Sequence, residues 1–268
     1  MLYKKQIFLT LFLSIFLFGS LLNASKIDDK TKSILELGKE MSNMRDLLGI
    51  YTSIGVGIQY KKPKNRLLNG IKEYEDVLSN IKSKHNDKPI QISIVKSKKA
   101  WAPVRKALMT ANSNVSRDEM RKEALFIHAN IRSVIKELAA MKAYLLSNIN
   151  TKYGAELNAA IEIGASANRL SAHYMMKIWK LDDPTIEKHW NNGVKIYTDS
   201  IKILKSSKFY SNEEFKQELD KAEKILTYFT MLADLNSFAA PALVTMKSNK
   251  SLKNAQLMTK IILKSIIQ

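Results

Sequence analysis

The chain has 268 residues, no cysteine and a formal net charge of +18 at pH 7. Without cysteine it can form no disulfide or thiolate site, and it can carry no lipid on a cysteine side chain. The positive charge suggests DNA or an anionic membrane as a binding partner. Lysine supplies nearly all of the excess and is spread along the chain, whereas phosphate-binding proteins cluster Arg and Lys on one face. We therefore interpret the charge as a solvated surface and expect no nucleic-acid partner.

The first 24 residues have the pattern of a secretory signal peptide. Lys4 and Lys5 form a positive start, an apolar run follows over residues 7–18, and Ala24 offers a small residue for cleavage before Ser25. The run is short for a membrane span, which needs about 20 residues, and an uncleaved anchor is the alternative. We expect export to a periplasmic space, with a mature chain of residues 25–268.

The first half of that mature chain predicts four amphipathic helices. Apolar residues recur at helical spacing, and no strand-like alternation is sustained. The first helix is expected to end near Tyr60, before Pro63, and Pro103 is expected to kink the third helix. Ser116 and Glu119 have the spacing of a capping box, which predicts the start of the fourth helix.

The second half predicts four more helices by the same spacing. Pro184 suits the first position of the sixth helix, with Asp183 as its cap. Ser211 and Glu214 form a second apparent capping box, which would open the seventh helix. Pro241 is expected to open the eighth helix.

Eight helices with short connections predict an all-α fold of two tandem antiparallel four-helix bundles, over residues 25–150 and 151–268. A faint internal repeat supports this division, because residues 69–74 (NGIKEY) resemble residues 192–197 (NGVKIY). Only residues 148–150 and Gly154 interrupt the pattern between the fourth and fifth helices. The bundles are therefore either separate or joined by one long shared helix.

Sequence spacing reveals no catalytic or metal-binding motif. The chain lacks HExxH, a glycine-rich phosphate loop and G-x-S-x-G. No two of the four histidines lie four residues apart, so we interpret them as isolated and the three tryptophans as core residues. These residues are His85, His128, His173 and His189, and Trp101, Trp179 and Trp190. We expect no enzymatic activity, no metal and no cofactor.

Three separated motifs in the second half carry a family resemblance. They lie in the predicted fifth helix, in the turn before the sixth and in the turn before the eighth. In that order they are Gly164, Arg169, Leu170 and Ser171; Trp179, Leu181, Asp182, Asp183 and Pro184; and Phe238, Ala240, Pro241, Ala242 and Leu243. Together they resemble the N-terminal sensory domain of type IV pilus chemotaxis transducers, the PilJ-type domain. That domain is related to the periplasmic sensor of NarX/NarQ-type nitrate and nitrite sensor kinases.

The first half looks like a more diverged copy of the same domain. Residues 38–45 (GKEMSNMR) resemble the family's first-helix motif, and residues 101–103 (WAP) resemble a segment of its third helix. The resemblance implies a sensory four-helix bundle that binds a small anion through an arginine of its first helix, often across a dimer interface.

Carried over to this sequence, the resemblance makes Arg169 the anion ligand, with Arg45 as its equivalent in the first copy. A guanidinium presents planar donors that suit nitrate, nitrite or a carboxylate, and Ser171 would add a hydroxyl donor. The family's second arginine position is occupied here by Ala172 or His173, which is a departure from the pattern.

The leading interpretation is an exported, stand-alone sensory protein that binds a small anion and signals through an envelope or inner-membrane partner, with a homodimer as one arrangement. The alternative is a structural adaptor of a pilus or chemoreceptor complex without a small-molecule ligand. The adaptor would expose an apolar stripe on the first helix, consisting of Ile50, Ile54, Val56 and Ile58.

Overall fold

The computed structural model describes residues 29–149, 152–232 and 241–267, so the predicted signal peptide of residues 1–24 lies outside it. Within the described residues the regular structure is helical and contains no strand, which confirms the all-α prediction. The eight α-helices are α1 (Asp29–Val56), α2 (Pro63–Lys84), α3 (Lys88–Met109), α4 (Arg117–Ser147), α5 (Gly154–Ile178), α6 (Thr185–Lys205), α7 (Glu213–Leu232) and α8 (Pro241–Ile267). None of these described helices is both long and apolar enough to cross a membrane.

The helices pack as two groups of four. In the first group α1 contacts α2 and α4, and α3 contacts the same two neighbours. In the second group α5 contacts α6 and α8, and α7 contacts the same two neighbours. The groups meet along α1 and α5. Each of these two helices therefore has one face in its own bundle and another against the other bundle.

Small residues bring α1 and α5 close together. A Cβ atom added to Gly38 would lie 2.6 Å from Cγ2 of Ile161, and one added to Gly49 would lie 3.4 Å from the Cα of Ala172. The two contacts advance along both helices in the same direction, so α1 and α5 run parallel. In each contact the partner is the residue 123 positions further along the chain.

The same spacing of 123 residues relates the packing inside the two bundles. Gly70 of α2 packs against Leu47, and Gly193 of α6 packs against Leu170. In the same way Tyr74 of α2 and Tyr197 of α6 are both fully buried. The faint repeat in the sequence thus corresponds to a shared way of packing the second helix of each bundle on the first.

The ends of the helices agree with most of the sequence signals. Ser116 and Glu119 form the predicted capping box at the start of α4. Asp183 accepts the backbone N–H of Thr185 at 2.8 Å. The prediction for α6 was nevertheless one residue early, because the helix begins at Thr185 and Pro184 is its N-cap. The first helix ends at Val56, earlier than expected, because Gly57 adopts a positive φ of 89° and breaks the helix there.

One further boundary prediction is wrong, and the structure decides between the two arrangements left open for α4 and α5. Asn212, rather than Ser211, caps α7, because its side-chain oxygen accepts the backbone N–H of Phe215 at 2.9 Å. The helices α4 and α5 are separate, since α4 ends at Ser147 and α5 begins at Gly154. No long helix is shared between the bundles.

The aromatic and aliphatic stripes lie mainly inside the protein. All three tryptophans are at most 5% exposed, which confirms their interpretation as core residues. The stripe proposed for the adaptor interpretation is not an exposed surface, because its members are buried or half-buried and belong to or pack against the core. Those members are Ile50, Ile54, Val56 and Ile58.

Candidate functional site

A cavity of about 380 Å³ lies between the two bundles and is lined by residues of α1, α4, α5 and α6. Its lining contains four basic side chains, namely Arg45, Arg132, Lys136 and Arg169. Glu162 is its one acidic lining residue. The site is therefore positively charged and is built from both bundles.

Arg45 brings a buried charge into this cavity from α1. The residue is only 7% exposed, and its Nη1 atom has no hydrogen-bond partner among the described residues. Burial, together with the nearby charge of Arg169, lowers the pKa of Arg45 to about 9, and Glu162 opposes the shift. The Arg45 guanidinium is therefore still charged at neutral pH, and its Nη1 atom has no hydrogen-bond acceptor among the described residues.

Arg169 enters the same cavity from α5. Its aliphatic stem packs on Gly193, where an added Cβ would lie 3.1 Å from the arginine Cδ. Its Nη1 atom is also buried without a hydrogen-bond partner in the described part of the chain. Burial and the charge of Arg132 lower the pKa of Arg169, whereas Glu162 raises it. Two guanidinium groups thus line one cavity, and each has one buried nitrogen atom without a hydrogen-bond partner among the described residues.

The single carboxylate of the cavity is already engaged. The buried Lys142 ammonium donates to Glu162 Oε1 at 3.2 Å and to Asn158 Oδ1 at 2.8 Å. Although burial opposes ionisation of Glu162, the charges of Lys142, Arg45 and Arg169 lower its pKa. Glu162 is already paired with Lys142, and one carboxylate cannot balance the four basic side chains of the lining. The cavity therefore keeps an excess of positive charge.

Three of the four histidines meet at this cavity, although the sequence interpretation treated them as isolated. The ring centroids of His128, His173 and His189 lie 5.3–5.8 Å from one another. They come from α4, α5 and α6, so no short-range spacing could reveal the cluster. Among the described residues, no group of three or more His, Asp or Glu is arranged to hold a metal ion.

Hydrogen bonds fix the protonation of two of these rings. His173 Nδ1 donates to the carbonyl oxygen of Arg169 at 2.7 Å, and His128 Nδ1 donates to Asp183 Oδ2 at 2.7 Å. The Nε2 atoms of the two rings are 3.3 Å apart. Burial, with the neighbouring His128, lowers the pKa of His173 to about 3, so its Nε2 carries a lone pair.

His189 accepts a hydrogen bond at the exposed edge of the cavity. Its Nε2 atom lies 2.9 Å from Nη1 of Arg132. A guanidinium can only donate, so this ring nitrogen is unprotonated. Burial, followed by the charge of Arg132, lowers the pKa of His189 in agreement with that geometry. This contact holds the Arg132 side chain at the solvent-exposed edge of the cavity.

The structure brings two of the three predicted ligand residues together. Arg45 and Arg169 line one cavity, whereas the sequence assigned them to equivalent sites in separate bundles. By the spacing of 123 residues, the counterpart of Arg45 is Asn168, and Arg169 corresponds to Asp46. Ser171 is buried, 6% exposed, and does not line this cavity.

Sequence reasoning missed the contribution of α4. His128, Arg132 and Lys136 are spaced by four residues and therefore share one helix face. That row of basic and titratable side chains was a visible signal, but only the packing of α4 beside α1, α5 and α6 shows that it faces a cavity.

Comparison with known protein families, curated proteins and solved structures finds no match. The resemblance to the PilJ-type domain therefore rests on the sequence motifs alone. Phe238 and Ala240 of the third motif lie outside the described residues, whereas Pro241 opens α8 as predicted.

Proposed function

We propose that the chain is an exported sensory protein that binds a small anion in the cavity between its two bundles. The observation that carries the proposal is that Arg45 and Arg169 line one cavity, and that the buried Nη1 atom of each has no hydrogen-bond partner among the described residues. A buried charge without a partner is costly, and a bound anion would supply the missing acceptors. The signal-peptide pattern of residues 1–24 supports a periplasmic location, which is part of the same proposal.

The positions of the two arginines also suggest how a bound anion would change the conformation of the protein. Arg45 belongs to α1 and Arg169 to α5, so a bound anion would contact both bundles at once. The two like charges repel each other when the site is empty and are attracted to a shared anion when it is filled. Binding would favour the arrangement in which α1 and α5 hold the anion, and this shift would be passed to an envelope or inner-membrane signalling partner.

A homodimer is compatible with this function but is not needed for it. The family resemblance implies a ligand site that often lies across a dimer interface. Here two bundles of the same chain already meet along α1 and α5 and form a site between them.

The test is thermal unfolding of residues 25–268 with nitrate, nitrite, sulfate, phosphate and small carboxylates at fixed ionic strength. A ligand at 100 times its dissociation constant should stabilise the fold by about 2.7 kcal/mol. The shift should be lost in Arg45→Gln and Arg169→Gln and kept in Arg117→Gln, which changes an exposed arginine of α4. If none of these anions raises the unfolding temperature of the unmodified chain, the proposal is wrong.

The structural adaptor is the second candidate, and one surface favours it. Ile92 and Val95 lie three residues apart on α3 and are 44% and 68% exposed. Crosslinking in intact cells through a photoreactive residue at position 95 would capture an envelope partner of an adaptor. The absence of any crosslinked envelope protein would count against this candidate.

A further inference from the structure

We infer that the ligand of the inter-bundle cavity is a short organic dianion of the dicarboxylate class, rather than a single inorganic anion. The inference rests on the proposed anion-binding function and specifies its ligand. It follows from the size of the cavity, from the number of basic side chains that line it and from its apolar lining.

The first argument is size. The cavity has a volume of about 380 Å³. Pockets that bind organic ligands start at about 300 Å³, whereas one water occupies about 30 Å³ of the liquid. Nitrate has only four heavy atoms and would leave most of the space to water. An organic molecule with a carbon chain would fill it.

The second argument is the arrangement of charge. Arg45 and Arg169 form a buried or half-buried pair where α1 and α5 meet. Arg132 and Lys136 form a second, exposed pair one turn apart on α4. A single carboxylate can accept a bidentate contact from one pair, and the second pair then lacks a partner of opposite charge. A dianion supplies one carboxylate for each pair.

The third argument is the apolar part of the cavity lining. Apolar side chains of α1, α4 and α6 line the same cavity, among them Met41, Leu48, Ile131, Ile135 and Ile196. Such a surface gives no favourable contact to a hydrated inorganic anion. It does favour methylene groups, because burying them removes apolar surface from water.

The experiment compares succinate with butyrate by isothermal titration calorimetry at fixed ionic strength and neutral pH. The two probes have the same number of carbons and differ in one carboxylate. Succinate should bind at least about tenfold more tightly than butyrate, nitrate or sulfate. Malonate, glutarate and adipate extend the series and identify the spacing of carboxylates that fits best.

The double variant Arg132→Gln/Lys136→Gln isolates the second cation pair. Both side chains are exposed, so their loss should leave folding intact, which far-UV circular dichroism would verify. The advantage of succinate over butyrate should disappear, because succinate loses the partners of its second carboxylate and butyrate has no second carboxylate to lose. The matched control Arg117→Gln/Lys122→Gln removes the same charge from exposed positions of α4 outside this cavity and should keep the advantage.

The outcomes separate this inference from the proposed function. If nitrate or sulfate binds as tightly as the best dicarboxylate, the inference is overturned and the anion-binding function stands. An unchanged succinate-to-butyrate ratio in Arg132→Gln/Lys136→Gln also overturns the inference. If no probe binds, both the inference and the proposed function fail.

Discussion

Arg45 and Arg66 show how differently one residue type is placed on two neighbouring helices. The Arg66 Nη2 atom donates to Asp46 Oδ2 at 3.0 Å, so this guanidinium has a carboxylate partner. Arg45 is more deeply buried, and its Nη1 atom has no hydrogen-bond partner among the described residues. The pairing of Arg66 contributes to the fold, whereas the unpaired donor of Arg45 costs stability when the cavity is empty.

Replacing Arg45 should therefore stabilise the ligand-free protein. Arg45→Met removes an unsatisfied charge and keeps most of the side-chain volume, so the free energy of unfolding should rise by about 1–3 kcal/mol. Urea unfolding in a buffer without multivalent anions would measure the change. Arg66→Met is the control and should lower stability, because it leaves Asp46 without its partner. Destabilisation by Arg45→Met would show that this side chain has partners already.

Glu40 should make stability depend on pH in the neutral range. The residue is fully buried and its Oε1 atom lacks a hydrogen-bond partner in the described structure. Burial raises its pKa from 4.5 to about 7, although a hydrogen bond from Asn43 opposes the shift. Because the folded pKa is the higher one, the contribution of Glu40 is fully present below pH 4.5 and is lost as pH rises through about 7.

Glu40→Gln should consequently raise the unfolding temperature at pH 8 and change it little at pH 5. A gain of about 1 kcal/mol would correspond to roughly 2–4 °C. Thermal unfolding at the two pH values gives the measurement, with Asp76→Asn, an exposed change on α2, as the control. Equal effects of Glu40→Gln at pH 5 and pH 8 would contradict the assignment.

His173 should have the opposite pH dependence. Burial, with the neighbouring His128, lowers its pKa from 6.5 to about 3. The unfolded chain therefore binds an extra proton as pH falls below 6.5, and stability decreases over the range from 6.5 towards 3. His173→Gln should flatten the stability profile between pH 6.5 and pH 4. A slope in this variant equal to that of the unmodified chain would show that His173 is protonated in the fold.

At the scale of elements, the sequence predicted where helices begin and end better than it predicted which helices pack against each other. The capping box of Ser116 and Glu119 is local, so spacing alone identified it. Ser211 was misassigned because Asn212 is an equally good cap one residue later. The parallel contact between α1 and α5 joins residues 123 positions apart, and no local pattern records such a contact.

The difference between local signals and long-range contacts also explains which parts of the candidate site the sequence predicted. Arg45 and Arg169 were identified through motifs, but their meeting in one cavity depends on the packing of α1 against α5. The histidine cluster draws one ring from each of three helices, so its spacing in the sequence is irregular. The motifs therefore identified two arginines, but the cavity that they share depends on helix packing and could not be predicted.

The contact of α1 with α5 also limits how large a side chain can be accommodated at position 49, which is Gly49 in this chain. An added Cβ would lie 3.4 Å from the Cα of Ala172, an ordinary contact distance, so Gly49→Ala should be neutral or stabilise by up to about 1 kcal/mol through helix propensity. Gly49→Leu would push the backbone of α5 away and should cost about 1–3 kcal/mol. Chemical unfolding of both variants tests this, and equal stability of the two would mean that the helices can separate freely.

For the whole molecule, the two sides of the α1–α5 contact differ in chemistry. One side holds the basic cavity beside α4 and α6. On the other side, beside α8, Asn168 donates to Ser42 Oγ at 2.9 Å and accepts a hydrogen bond from Ser248. A smaller cavity of about 250 Å³ on that side is lined mainly by apolar atoms. The cavity that collects Arg45, Arg132, Lys136 and Arg169 therefore lies on only one side of the α1–α5 contact.

The contacts of Gly38 with Ile161 and of Gly49 with Ala172 have a consequence for how such a molecule can evolve. In both contacts a residue meets its own counterpart in the other half, as happens on the twofold axis of a symmetric dimer. A dimer of identical bundles would have to carry the same site on both flanks. With the two halves in one chain, Arg45 and its counterpart Asn168 can differ. Duplication and fusion thus allow one flank to specialise in binding while the other is closed by neutral hydrogen bonds.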